Sequence, residues 1–146
     1  MMTVTRILVP VDFSEHSIRA LDCGKTLAEK FGASIHLLTV VPDPFVLPDP
    51  SSWYVPVPPA YVDGLRCDAE EHLRSLMTPA DGARYRAQSI VLFGSAPDGI
   101  LEYSGRESID LIVMGTHGRS GVARAVMGSV AEKVVRSAAC PVLTVR

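Results

Sequence analysis

Lysine is scarce in this chain. Only Lys25, Lys30 and Lys133 are present among the 14 lysines and arginines, so arginine carries nearly all of the positive charge. No lysine falls between Lys30 and Lys133, which excludes a Walker A loop, whose G-x4-G-K-[ST] pattern needs one beside the phosphates. A basic excess is also missing: 16 acidic side chains give a formal net charge of −2, and nucleic acid is not an expected partner. Cysteine is sparse and unpaired in pattern. Cys23, Cys67 and Cys140 are odd in number and contain no C-x-x-C pair, which argues against a disulfide framework or a zinc site and for a reducing compartment. No stretch approaches the roughly 18 apolar residues of a membrane span, and Pro10 and Asp12 interrupt the short apolar stretch near the N-terminus. A cytoplasmic protein without a membrane partner is expected.

Other signatures are absent as well. The turn after the first apolar run reads Asp12-Phe13-Ser14, not the G-x-G-x-x-G of a dinucleotide fold. Gly118-Arg119-Ser120-Gly121 is one residue short of a G-x-S-x-G nucleophile elbow. The S-G-G-x-D-S loop of adenylating enzymes is missing, and no internal repeat is evident.

What is present is alternation. The 146 residues, 47% of them hydrophobic, are enough for one domain spanning 1–146 with a substantial core. Arg6 to Val11 reads as a strand buried on both faces. Ser14 is placed to cap a helix with Ile18, Leu21, Ala28 and Phe31 on its apolar stripe, and Gly32 to end it. Ser34 to Val41 is a second strand. Ala60 to Met77 is helical, with Val62, Leu65, Ala69, Leu73 and Leu76 on one stripe. A third strand runs from about Tyr85 to Leu92. Ser95-Ala96-Pro97-Asp98 opens another helix, Asp110 to Met114 is the fourth strand, Ser129 to Ser137 the last helix and Pro141 to Val145 the fifth strand. Strands alternating with helices imply an α/β fold: a single-domain, five-stranded parallel sheet in order 3-2-1-4-5, Rossmann-like, with helices on both faces. Such sheets bind ligands at the carboxyl ends of their strands, where Asp12, Val40 and Gly115 all lie.

Residues 42–59 break the rhythm with seven prolines. This excursion holds Trp53, the one tryptophan, beside Tyr54. Two readings stay open: a surface segment whose aromatics fold back onto the domain, or a lid or contact for a protein partner.

The densest signal is Gly115-Thr116-His117-Gly118-Arg119-Ser120-Gly121, with Gly128-Ser129 seven residues on. Glycines between a buried strand and a helix start let backbone N–H groups approach an anion, and phosphate rewards that geometry most. The same glycines also suit ordinary turns that need positive φ. Ser129-Val130-Ala131-Glu132 reads as a capping box. Arg119 lies inside the loop as a phosphate partner; for Arg124 that role and a solvated surface charge weigh evenly. His117 reads as a peripheral loop residue rather than a general base. Asp12 is either a ligand for a ribose hydroxyl or magnesium, or a turn residue bonding its own backbone.

Gly115, Gly118 and Gly128-Ser129 fit G-x2-G-x9-G-[ST], and in this the chain resembles the ATP-binding branch of the universal stress protein family. Ile7 to Ser14 is similar to that family's first strand and aspartate turn; Gly128 to Arg136 and Cys140 to Val145 are similar to its last helix and strand. The resemblance implies ATP, with Mg2+, as the bound cofactor. It places adenine near Pro10, Val40 and Met114, with the Val40 backbone reading the base edge, and ribose near Asp12. Phosphates fall over Gly115, Gly118, Arg119, Gly128, Ser129 and Val130. No magnesium site is implied by protein ligands alone. The resemblance also implies a homodimer through Pro141 to Val145, and a regulatory nucleotide-binding domain with at most slow hydrolysis. The competing readings are an ATP-using enzyme with the Pro-rich segment as substrate lid, and a nucleotide-free protein that acts by protein interaction.

Overall fold

In the computed structural model, which describes residues 3–44, 57–118 and 127–146, the apolar run after Thr5 forms β1 (Arg6–Pro10). Helix α1 (Glu15–Phe31) follows; Ser14 Oγ caps it by accepting from Ser17 N–H, and Gly32 closes it at φ 67°. Both termini match what the sequence dictates, because serine offers an acceptor to an orphan donor and glycine bears no Cβ to oppose the left-handed turn. Then come β2 (Ser34–Val41), α2 (Pro59–Ser75), α3 (Pro79–Arg84), β3 (Gln88–Phe93), α4 (Ala96–Arg106), β4 (Leu111–Gly115), α5 (Ser129–Ser137) and β5 (Val142–Val145).

The sheet order is β3-β2-β1-β4-β5, every pairing is parallel, and the expected five-stranded order 3-2-1-4-5 is observed. Strand alternation sends side chains to two cores. Ile7, Val9, Ile35, Leu37 and Val113 pack with Ala20, Leu21 and Ala28 of α1 and with Ala69 and Leu73 of α2. Leu8, Leu38, Ile112 and Met114 pack with Ile100 and Tyr103 of α4 and with Ala131 and Val134 of α5. Helices therefore cover both faces. Among the described residues, no helix is long and apolar enough to cross a membrane.

Three local expectations are corrected. The stretch beginning at Tyr85 is not strand until Gln88; Thr78 caps the unforeseen α3 by accepting from Asp81 N–H, and Tyr85 enters the core from that helix's end. Phe31, the last residue of α1, is 53% exposed rather than on the buried stripe. The capping box at 129–132 does not form: Gly128 is the N-cap, and the Glu132 carboxylate bonds Arg136 one turn on at 2.6 Å. The start of α4 is as expected, with Ser95 at the N-cap and Pro97 in the first turn, although Ser95 makes no side-chain cap; Asp98 accepts from Lys133 Nζ at 2.7 Å, tying α4 to α5.

Candidate nucleotide site

The carboxyl ends of β1, β2 and β4 open into a cavity of about 350 Å³. Its inner wall is apolar: Pro10 and Val11 from β1 and its end, Leu38 and Val40 from β2, Ile100 from α4, Met114 from β4 and Ala131 from α5. Its mouth is polar, with Asp12, Thr116, His117 and Ser129 around Gly118 and Gly128. An apolar pocket with a few convergent polar groups suits a ligand that has a flat apolar end and a charged end.

Asp12 divides its carboxylate between two tasks. Oδ1 accepts from Ser14 N–H at 3.0 Å, which is the turn bond anticipated for an aspartate here. Oδ2 faces the glycine loop, 2.8 Å from where a Cβ on Gly118 would stand. The turn role and a ligand role are therefore geometrically compatible.

The glycines are needed for closeness, not for handedness. Among the described residues, positive φ at glycine occurs only at Gly32 and Gly94, so the turn reading of the loop glycines is not what the backbone shows. A Cβ on Gly115 would lie 2.9 Å from the His16 carbonyl carbon, and one on Gly128 would lie 3.2 Å from Thr116 O. Gly128 N–H donates to Thr116 O at 2.6 Å, and Thr116 N–H donates to Val145 O at 2.9 Å. These bonds clamp the two ends of the loop to each other and to the sheet. Helix α5 then starts at Ser129 with no side-chain cap, and its first turn borders the cavity through Ser129, Val130 and Ala131. A helix start of this kind offers backbone donors and the positive end of the dipole to an anion.

The structure brings Pro10, Asp12, Val40, Met114, Gly115, Gly118, Gly128, Ser129 and Val130 to one cavity. Arg119 and Arg124 lie outside the described residues, as do Trp53 and Tyr54. His117 is less peripheral than its sequence position suggests. It lines the cavity, its Nδ1 is 3.0 Å from Thr116 Oγ1, and its ring centroid is 5.4 Å from that of His16. Sequence reasoning missed Leu38 and Ile100. Leu38 had a signal, since it shares a strand face with Val40 two residues on; Ile100 had none, because the rotation of α4 is set by packing.

A sequence profile for the universal stress protein family matches residues 3–146. Universal stress protein MJ0531 of Methanocaldococcus jannaschii is 34% identical over 143 residues, covering 97% of this chain and 81% of that protein. Universal stress protein YxiE of Bacillus subtilis is 32% identical over 145 residues, covering 97% and 98%. Among solved structures, universal stress protein UspA from Lactobacillus plantarum superimposes with a TM-score of 0.76 at 26% identity, covering 97% of each chain. A universal stress protein in complex with cAMP gives 0.62 at 22% identity, covering 99% and 98%. One from Archaeoglobus fulgidus in complex with dAMP gives 0.65 at 17%, covering 100% of both. The last two likenesses bear on the fold alone.

Proposed function

This chain belongs to the universal stress protein family, and from that premise we propose that it is a cytoplasmic regulatory domain that binds ATP with Mg2+. The observation that carries the reading is the junction of an apolar pocket with a polar mouth at one cavity. Adenine packs against Pro10, Val40 and Met114, and the ribose hydroxyls meet Asp12. The phosphates lie over Gly115, Gly118, Gly128, Ser129 and Val130, with Arg119 as a further partner. Complexes of other universal stress proteins with cAMP and dAMP support a nucleotide as the ligand class.

The residues present fit this ligand. Tight approaches of Gly115, Gly118 and Gly128 to His16, Asp12 and Thr116 leave no room for side chains there and keep the loop backbone close-packed at the cavity mouth, where phosphate would meet it. Among the described residues, no three His, Cys, Asp or Glu side chains converge to hold a metal. Magnesium bound with the nucleotide would be held through Asp12, where it would neutralise phosphate charge beside that carboxylate. The chain's own contribution is binding and orientation.

Titration calorimetry with ATP and Mg2+ tests this. Saturable binding is expected, and Gly128→Val should weaken it more than tenfold, about 1.4 kcal/mol, while far-UV circular dichroism stays native. Wild-type protein that binds no ATP would overturn the reading. Multiple-turnover hydrolysis above roughly one per second would point instead to an ATP-using enzyme.

A further inference from the structure

Phe13 occupies the turn between β1 and α1 with φ of 64°, the left-handed region that bulky side chains rarely adopt. It is absent from the cavity lining, yet it separates two residues that build the cavity's acidic corner. Ser14 N–H reaches back across it to Asp12 Oδ1 at 3.0 Å, and Ser14 caps α1. The left-handed step is what curls the chain back so that this bond closes. The ring itself is half-buried against the core on the α1 and α2 face. It meets the His72 ring of α2 at an angle of 61°, with centroids 5.4 Å apart. Strained backbone persists only where its surroundings hold it, and that anchorage holds Phe13.

We infer that Phe13 is a positioning residue for the nucleotide site: its strained backbone, fixed by the anchored ring, aims Asp12 at the glycine loop. Asp12 Oδ2 stands beside the glycine loop, 2.8 Å from where a Cβ on Gly118 would lie, so the turn at Phe13 decides where this carboxylate is presented. The inference rests on the nucleotide reading above and adds to it. Recognition at the ribose end depends on the backbone conformation of a residue that does not touch the ligand.

The test compares Phe13→Gly with Phe13→Val. Both remove the ring, but only valine opposes the left-handed backbone. ATP affinity with Mg2+ should stay within about threefold of wild type in Phe13→Gly and fall about tenfold or more in Phe13→Val. Equal weakening in the two variants would mean that the ring only packs, and would overturn the proposal. Hydrogen exchange at the Ser14 amide of the nucleotide-free protein gives a second readout. Wild-type protection should persist in Phe13→Gly and be lost in Phe13→Val; equal protection in both would also overturn it. Because that readout needs no ligand, a wild-type protein that binds no ATP would remove the nucleotide reading while the Ser14 contrast still decides how Asp12 is held. Should Phe13→Val fail to fold, Phe13→Ala replaces it, since alanine also lacks the ring and also disfavours positive φ.

Discussion

Extending Gly118 by one carbon would bring that atom to 2.8 Å from Asp12 Oδ2, whereas extending Gly115 would bring it to 2.9 Å from the His16 backbone. The two clashes differ in what can yield. A carboxylate tip can swing aside, so Gly118→Ala should leave the fold intact and displace Asp12, cutting ATP affinity by roughly tenfold. Backbone at the start of α1 cannot move without moving the helix. Gly115→Ala should therefore destabilise the protein by about 1–3 kcal/mol, read from urea unfolding. Another residue-scale consequence lies on the α4 side of the sheet. His36 is 4% exposed, its Nδ1 is 2.8 Å from the Tyr103 hydroxyl, and burial holds its pKa below the usual 6.5, with Arg6 lowering it further and Glu107 opposing. The unfolded chain thus takes up this proton more readily than the folded one. Stability from neutral His36 is complete above about pH 6.5 and declines as pH falls below that value toward the folded pKa. Urea midpoints measured from pH 7.5 down to pH 5 should decrease, and His36→Gln should flatten the slope over that window.

Helix ends show how far the sequence can be trusted at the scale of an element. Ser14 and Ser129 both precede helical patterns, and both read as caps. Only Ser14 is one, accepting from Ser17 N–H at 3.3 Å; Ser129 is the first residue of α5, and it is exposed. Ser14→Ala should cost about 1 kcal/mol of stability, while Ser129→Ala should cost no more than a few tenths. Comparable losses in denaturant titrations would restore the capping box at Ser129. The strand order was legible because five apolar runs alternating with helices leave few right-handed parallel topologies. The mouth of the cavity was legible for a related reason: strand ends and glycine clusters are local features. Its Ile100 wall was not, since which side of α4 faces inward follows from packing between elements. The reason for the loop glycines was also hidden. Their tight neighbours, His16, Asp12 and Thr116, are revealed only once the chain ends of β1 and β4 and the start of α1 come together. Helix α3 was missed although Thr78-Pro79 precedes Asp81, a local start signal.

For the whole molecule, the open question is what meets the edge of the sheet at β5. Among the described residues this strand pairs with β4 alone, leaving backbone donors and acceptors along its other side that invite another strand. Val142 is half-buried and packs against the core under α4 and α5, whereas Leu143 is 39% exposed, as is Val135 of α5 at 44%. A homodimer of the kind the family resemblance implies would join two such edges across a two-fold axis, so that one strand would pair with its symmetry copy and each Leu143 would gain an apolar partner. The exposure difference selects the variant. Val142→Asp would damage the monomer's own core and could not separate folding from assembly. Leu143→Asp places its charge at the edge and should leave the monomer folded, with a native circular dichroism spectrum. Sedimentation equilibrium at tens of micromolar, on the order of ordinary assay concentrations, should then give a dimer for the wild type and a monomer, or a dimer weakened more than tenfold, for Leu143→Asp. A wild-type monomer at that concentration would rule out the β5 dimer. A Leu143→Asp dimer as tight as wild type would move the interface elsewhere. Thr116 N–H is bonded to Val145 O at 2.9 Å, so the same strand touches both the edge and the glycine loop. If the dimer holds β5 in place, Leu143→Asp should also weaken ATP binding modestly, by about two- to fivefold. Calorimetry on the monomeric variant checks that coupling, and unchanged affinity would mean that the two sites are independent.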